Sequence, residues 1–302
     1  MLKRILKLPS GSISISILSV VAFLAVFGPL LAPYSAFDGS EDILAAPSTE
    51  HLLGTDYLGR DTLSRLLSAA PLSVFSAVLV GAIALVVGVI PGILSVYLGR
   101  AFEWASLRVV DTLIALPFLI FAVAITALLG NSIIPAMCAV GFLTSPLFYR
   151  VARAVTLQIS NTPYVEAAVL AGGRLGWTIR KHVWNKLLPS ISIVLANTIG
   201  IGLVSVAALS FLGIGIQPPE PVWGGMLSAD LGYLAQRPYA PIYPALLIVV
   251  TVWALNMLAD AIRDVNGDSQ VARTKPKQQK QSTTKQLKPV ETANAVPVRS
   301  TP

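Results

Sequence analysis

Charge is scarce in this chain. Only 12% of its 302 residues are Asp, Glu, Lys or Arg, while 54% are hydrophobic, and soluble domains carry about a quarter charged. That shortage excludes an ordinary soluble fold and points to an all-α integral membrane protein. Cysteine is nearly absent as well. The single Cys138 excludes an internal disulfide, and with no histidine or carboxylate near it no metal site is expected; a small core residue is the expectation. The two histidines, His51 and His182, lie in segments expected on opposite faces of the membrane. No G-x-x-x-x-G-K-[ST] loop, H-E-x-x-H helix or G-x-S-x-G elbow occurs, so the residue patterns of phosphate cradles, zinc hydrolases and nucleophile elbows are all missing. No catalytic residue, metal ligand or directly bound cofactor is therefore expected. Acids are also missing from the centres of the apolar runs, with Asp111 and Asp260 at their ends, and this disfavours a proton relay at membrane depth.

Long apolar runs are what the chain has in abundance. A bilayer core needs about 20 apolar helical residues, because every backbone polar group must be satisfied within the segment. Six stretches qualify: 13–31, 72–98, 112–129, 133–149, 187–216 and 241–259. Gly88, Pro91 and Gly92 interrupt the second, Pro117 the third, and Gly141 with Pro146 the fourth. Kinks at these points predict a packed bundle, since neighbouring helices satisfy the freed carbonyls.

Basic residues predict the orientation. With the N-terminus cytoplasmic, the inner segments before residue 263 hold eleven Lys and Arg, and the outer loops hold only Arg60, Arg65 and Arg237. Both termini are then cytoplasmic. A cleaved leader is disfavoured, because the first apolar run is too long and Tyr34 stands where a cleavage site before Ala36 wants a small residue. The chain divides into an N-terminus with the first span (1–32), an outer loop with an interfacial helix (33–71), a five-helix core (72–265) and a tail (266–302). The tail is rich in Lys, Gln, Thr and Pro and is expected to be disordered.

Between the fourth and fifth runs, within 150–189, lies the polar stretch PYVEAAVLAGGRLGWTIRKHVW. Thr162 can cap a helix that has Pro163 at its first position, Glu166 falls in the first turn where the helix dipole favours an anion, and Gly172 with Gly173 supplies the stop. Ala167, Ala168 and Ala171 give a small-residue face that another surface can approach closely. Leu175, Trp177 and Ile179 with Arg174, Arg180 and Lys181 begin a second amphipathic helix. The residues alone leave two readings open, a docking knob or an interfacial helix lying on lipid.

The stretch EAAVLAGGRLGWTIRKHVWNKLLP resembles the Glu-Ala-Ala loop of membrane subunits of bacterial ABC importers. Glu166, Ala167, Ala168 and Gly172 fall in register. The family's closing Ile-Leu-Pro lands on Val183, Trp184 and Asn185 instead, with the nearest proline at Pro189. LGTDYLGRDTLSRLL, LSFLGIGIQPPEPVWGGML and NMLADAIRDVNGD resemble signatures of the peptide and nickel permease branch, in particular the C-type subunit of dipeptide and oligopeptide permeases. The resemblance covers almost everything from the first helix to Asp268.

The resemblance implies a type I ABC importer fold with six transmembrane helices in a bacterial or archaeal plasma membrane. Implied partners are a second, related permease subunit forming a heterodimer, cytoplasmic ATPase subunits that use ATP and magnesium, and an extracytoplasmic peptide-binding protein. Tyr164, Glu166, Ala167, Ala168, Gly172 and Gly173 become ATPase-coupling residues, and Pro218, Pro219, Trp223 and Gly224 an outer gate or lid. The implied cargo is a dipeptide or oligopeptide; a nickel chelate or another small solute is the alternative within the family, and a proton-coupled secondary carrier the alternative from another class. The residues themselves give local expectations too. Leu63, Leu66, Leu67 and Ala70 predict an amphipathic helix on the outer leaflet started by Asp61, and Asp260 is at pairing distance along a helix from Arg263.

Overall fold

The computed structural model describes residues 2–163, 165, 170, 172, 176, 179, 183–216 and 218–274. Among them the chain is almost wholly helical, with one isolated bridge between Thr55 and Asp61. The helices are α1 (Leu2–Ile5), α2 (Pro9–Leu31), α3 (Thr62–Leu94), α4 (Arg100–Ala115), α5 (Phe118–Leu128), α6 (Ile133–Ser160), α7 (Trp184–Phe211), α8 (Trp223–Leu231) and α9 (Ile242–Thr274). By length and apolar composition α2, α3, α6, α7 and α9 can each cross a bilayer, and α4 with α5 forms a further pair bent by 100°.

Whether that pair counts as a crossing follows from packing directions. A Cβ on Gly141 would meet Ile83 and Val80, one on Gly88 the Ser145 carbonyl at 2.3 Å, and one on Gly92 the Tyr149 carbonyl at 2.8 Å. Position advances along α3 and α6 together, so these two helices run parallel, and the chain between them must recross. That leaves α4 and α5 as one broken crossing, because α5 alone spans about 16 Å against a core of about 30 Å. Antiparallel contacts give the rest. Gly202 of α7 packs on Val80 while Leu187 and Ile191 lie lower, with Val89 and Ile93. Ile5 packs with Ala261 and Val265 near the end of α9. Six crossings result, with α1, Asn161, Val183 and the later part of α9 on one face and the 32–61 and 212–241 loops on the other.

Proline behaves as a membrane setting allows. Pro29, Pro71, Pro91, Pro146 and Pro189 all lie inside helices. Pro71 removes the donor for the Leu67 carbonyl, and that carbonyl lies against Gly28 of α2. Only Pro117 breaks its run, since Leu116 before it is extended at φ −75° and ψ 140°. The expected 112–129 span is therefore two helices with a sharp bend. Polar ties hold α4 on α6: Glu103 pairs with Arg153, Asp111 with Arg150 at 3.3 Å, and the Ser106 and Tyr149 hydroxyls share a hydrogen bond at 2.8 Å.

Three expectations need correction. The interfacial helix expected before residue 71 does not exist as a separate element, because α3 runs unbroken from Thr62 and buries Leu66, Ala69 and Ala70 against α2 and α8 instead of lipid. Cys138 is exposed. It shares a face with Ile134 and Phe142, also exposed, while Met137 and Val140 turn inward, as the helical repeat of 3.6 residues requires. The tail boundary also shifts, since α9 continues through 266–274, and 275–302 lie outside the described residues. Asp260 and Arg263 do pair, at 2.7 Å, in an exposed contact worth little.

The crossing count can be checked by side-specific cysteine labelling in a Cys138→Ser background. Cysteines at Lys7 and Asn161 should be reached by an impermeant reagent from one face and a cysteine at Ser48 from the other. Labelling of Asn161 and Ser48 from the same face would contradict six crossings.

Candidate functional site

At the face bearing the 32–61 loop, the sequence LGTDYLGRDTLSRLL folds into a polar knot. Asp56 accepts from the Leu58 and Arg60 amides at 2.8 and 3.0 Å through Oδ1, and Arg60 grips its Oδ2 through Nε at 2.8 Å and Nη2 at 2.7 Å. Arg65 Nε stands 3.4 Å from the same Oδ2, and its Nη1 donates to the Ala36 carbonyl at 2.8 Å. Asp61 caps α3, accepting from the Ser64 amide at 2.7 Å and the Ser64 hydroxyl at 2.6 Å, with His51 Nδ1 3.0 Å from its other oxygen. Gly54 makes the turn possible. Its φ is +73°, and a Cβ there would meet the Ala45 carbonyl at 2.3 Å and Arg237 Nη2 at 2.9 Å.

Arg237 reaches this knot from the loop before α9. Its guanidinium donates to the carbonyls of Thr55 and Leu53 and, at 3.3 Å, to the Thr62 hydroxyl. It is buried. A planar fork of fixed donors suits three converging oxygens better than an ammonium would, so Arg237 ties the α8–α9 connection to the start of α3. Tyr57 stacks on Tyr233 with ring centroids 5.3 Å apart, making a second tie.

Between the knot, the C-terminal end of α7 and α8 lies a cavity of about 210 Å³, bordered by Tyr57, Arg60, Ser210, Pro218, Glu220 and Asp230. Two residues on its border each carry a buried oxygen without a hydrogen-bond partner, Ser210 Oγ and Asp230 Oδ2. Burial pushes the Asp230 carboxyl up to about 6, with Asp56 adding to the rise and Arg237 and Arg65 opposing it. A different, mainly apolar cavity of about 350 Å³ separates α4 from α3 and α6.

The four residues expected to form an outer lid divide between two roles. Pro218 borders the cavity, and Pro219 follows in the connecting turn. Trp223 and Gly224 are anchored in the bundle. The Trp223 amide donates to Ser73 Oγ at 3.1 Å and its indole Nε1–H to the Leu66 carbonyl at 3.2 Å. A Cβ on Gly224 would lie 2.2 Å from the Ala207 carbonyl of α7. The segment is thus fixed at its α8 end.

At the opposite face, Tyr164, Glu166, Ala167, Ala168 and Gly173 lie outside the described residues. Gly172 has φ +82° with open space where a Cβ would sit. Both ends of the segment are rooted in the core: Val165 and Val183 are buried with Val89, Ile93, Ile159 and Leu187. The Thr162 hydroxyl donates back to the Ile159 carbonyl, and the Thr162 carbonyl accepts from the Val165 amide at 3.0 Å. The backward bond shows where the hydroxyl proton goes; Thr162 closes α6 as well as opening the next turn.

Sequence reasoning missed Arg237, Asp230 and Ser210. The available signal was scarcity, because a lone arginine or aspartate in a nearly uncharged outer loop has few alternatives to an internal partner.

The bundle thus joins a parallel pair closed by glycine contacts, a broken helix between its members, and a 161–183 segment whose two ends are rooted beneath it. Residues 84–268, more than half of the chain, match the family described as "Binding-protein-dependent transport system inner membrane component", and the chain belongs to that family as a multi-pass inner membrane permease subunit of the peptide and nickel branch of ABC importers. Among curated relatives, the glutathione transport system permease protein GsiD of Escherichia coli O1:K1 is 34% identical over 243 residues, 80% of each chain. GsiD of Pectobacterium atrosepticum is 33% identical over 259 residues, 84% of each chain. A solved structure of the MetNI methionine ABC transporter in inward-facing conformations has a chain that matches with a TM-score of 0.54 at 20% identity, covering 67% of this chain and 96% of that one, which supports the type I ABC importer fold alone.

The raised Asp230 carboxyl sets a pH dependence. A folded-state value of about 6 against an ordinary 3.8 means that the folded protein holds the proton more tightly, so the stability that this group contributes is present at low pH and is lost as pH rises through that window. Asp56, Arg65 and Arg237 act on it electrostatically, and Tyr57, Arg60 and Glu220 share its cavity. Asp230→Asn should therefore gain thermal stability relative to the parent on going from about pH 4.5 to about pH 7.5. Melting curves in detergent check this, and a pH-independent difference would contradict it.

Proposed function

We propose that this chain forms half of the translocation pathway of an ATP-driven peptide importer, paired with a related permease subunit. The observation that carries this reading is the rooting of the 161–183 segment: Val165 and Val183 are buried among residues of α3, α6 and α7, so a push on that segment is delivered to the helices that form the centre of the bundle. Glu166, Ala167 and Ala168 present the contact to a cytoplasmic ATPase subunit, Tyr164 flanks it, and Gly172 and Gly173 turn the chain back. ATP and magnesium act on the ATPase, and closure of its two copies moves the segment.

Eleven basic residues on the face of the termini against three on the other support a cytoplasmic placement of the N-terminus, the C-terminus and the coupling segment. An extracytoplasmic binding protein then delivers cargo to the face with the polar knot. Similarity to the GsiD permeases, named for glutathione transport, supports a short peptide as cargo. The subunit performs no covalent chemistry; it converts closure of its partner into access from one side and then the other.

Coupling is tested by three variants of the full chain in its complex. Glu166→Lys should reduce ATPase co-purification and peptide uptake together while leaving detergent-solubilised material monodisperse. Gly172→Val should do the same through backbone strain, since the space at its Cβ is open and φ is +82°. Gly172→Asn, which tolerates the left-handed region, should retain both activities. Full activity in Glu166→Lys and Gly172→Val would reduce the segment to a helix resting on lipid.

A further inference from the structure

Two residues that border the outer cavity carry oxygens that the fold leaves unpartnered. Many helical Ser and Thr hydroxyls in the bundle donate back to a carbonyl one turn earlier, as Ser76, Thr126, Thr156, Ser192, Ser205 and Thr251 do, whereas Thr198 Oγ1 and Ser210 Oγ on α7 have no partner. Ser210, at 4% exposure, has no partner for its Oγ. Asp230 borders the same cavity with Oδ2 buried and unpartnered. Unmet buried oxygens cost free energy that a ligand can recover.

The surrounding charges restrict what that ligand is. Arg60 and Arg65 both hold Asp56, and Arg237 is spent on the carbonyls of Leu53 and Thr55 and the Thr62 hydroxyl. No side-chain cation is in ion-pair contact with Asp230 among the described residues, and Glu220 adds a second acid to the cavity border. An incoming carboxylate or phosphate would face these acids. No cluster of three metal-ligating side chains is present among the described residues, which argues against a multivalent metal ion. The remaining class is a small organic cation whose donors match lone acceptor oxygens.

We propose that this cavity is a subsite for a primary ammonium group, the amino end of a peptide entering the pathway. The ammonium is held at the Asp230 carboxylate beside Ser210, while Pro218, Ile216 and Met226 supply an apolar wall for the first side chain. No bond forms or breaks. The subsite selects peptides with a free amino end, and it rests on the importer reading for the peptide but not for its cation chemistry.

The test uses the full chain, with the partners it retains on purification, in lipid nanodiscs. Equilibrium dialysis compares glycylglycylglycine with its N-acetyl derivative, which is isosteric over most of its length but has no ammonium. Acetylation should weaken binding by about tenfold or more. Asp230→Asn should abolish that preference, and Ser210→Ala should reduce it severalfold, both at unchanged monodispersity. The preference should also decline as pH falls below about 6, where the carboxyl takes up its proton. Equal binding of the two peptides, or a preference that survives Asp230→Asn, overturns the subsite. Displacement of the peptide by potassium as readily as by methylammonium assigns the cavity to an alkali cation and overturns it as well. Uptake driven by ATP separates this from the importer reading. If both peptides enter equally and bind equally, the importer stands and the subsite falls; if the free peptide binds preferentially and neither enters, the subsite stands and the importer reading falls.

Discussion

The close parallel packing of α3 and α6 is the contact on which the remaining architecture depends. Inside a bilayer, helices gain little from burying apolar surface against each other, since lipid is equally apolar, so association rests on close approach of small residues. Gly88, Gly92 and Gly141 supply that approach, with carbonyls of the facing helix where a Cβ would otherwise lie. Because the two helices point the same way, the chain must return between them. The bent α4–α5 pair is that return, and the six-crossing topology with α1, Asn161 and Val183 on one face follows from it.

Charge is partitioned to match. On the face with the 32–61 loop every arginine is turned to an internal use: Arg60 and Arg65 on Asp56, and Arg237 on backbone oxygens and a threonine hydroxyl. The knot therefore fixes the start of α3, the 32–61 loop and the α8–α9 connection to one another. On the opposite face, exposed pairs such as Arg150 with Asp111 and Arg263 with Asp260 contribute little to stability in high dielectric. The bundle is thus locked at the face of the 32–61 loop and rooted through Val165 and Val183 at the other.

Much of this was legible in the sequence, because the bilayer makes hydropathy an almost sufficient guide to spans. Asp61 as a helix start and the Asp260–Arg263 pair both rest on local rules that tertiary context left intact. What resisted was non-local. Six prolines look alike in sequence, yet only Pro117 breaks its run; α4 is tied to α6 through Glu103 and Asp111, while α5 packs separately through Ala122. Leu63 to Ala70 has a helical apolar face in either setting, and only the presence of α2 and Trp223 turns that face from lipid to protein. Arg237 lies 175 residues from Thr62 in sequence, beyond the reach of any spacing rule. The Cys138 face shows the same limit, since apolar surroundings in sequence do not say which side of a membrane helix faces the core.

The central claim is that an external ATPase drives this permease from the face that carries the 161–183 segment. Proteoliposomes containing the complex purified through this chain, sorted by orientation, test it directly when ATP is supplied on one side only and labelled tripeptide on the other. The account predicts accumulation only with ATP on the side of the 161–183 segment, undiminished by a protonophore. Accumulation without ATP that collapses with the proton gradient would contradict it.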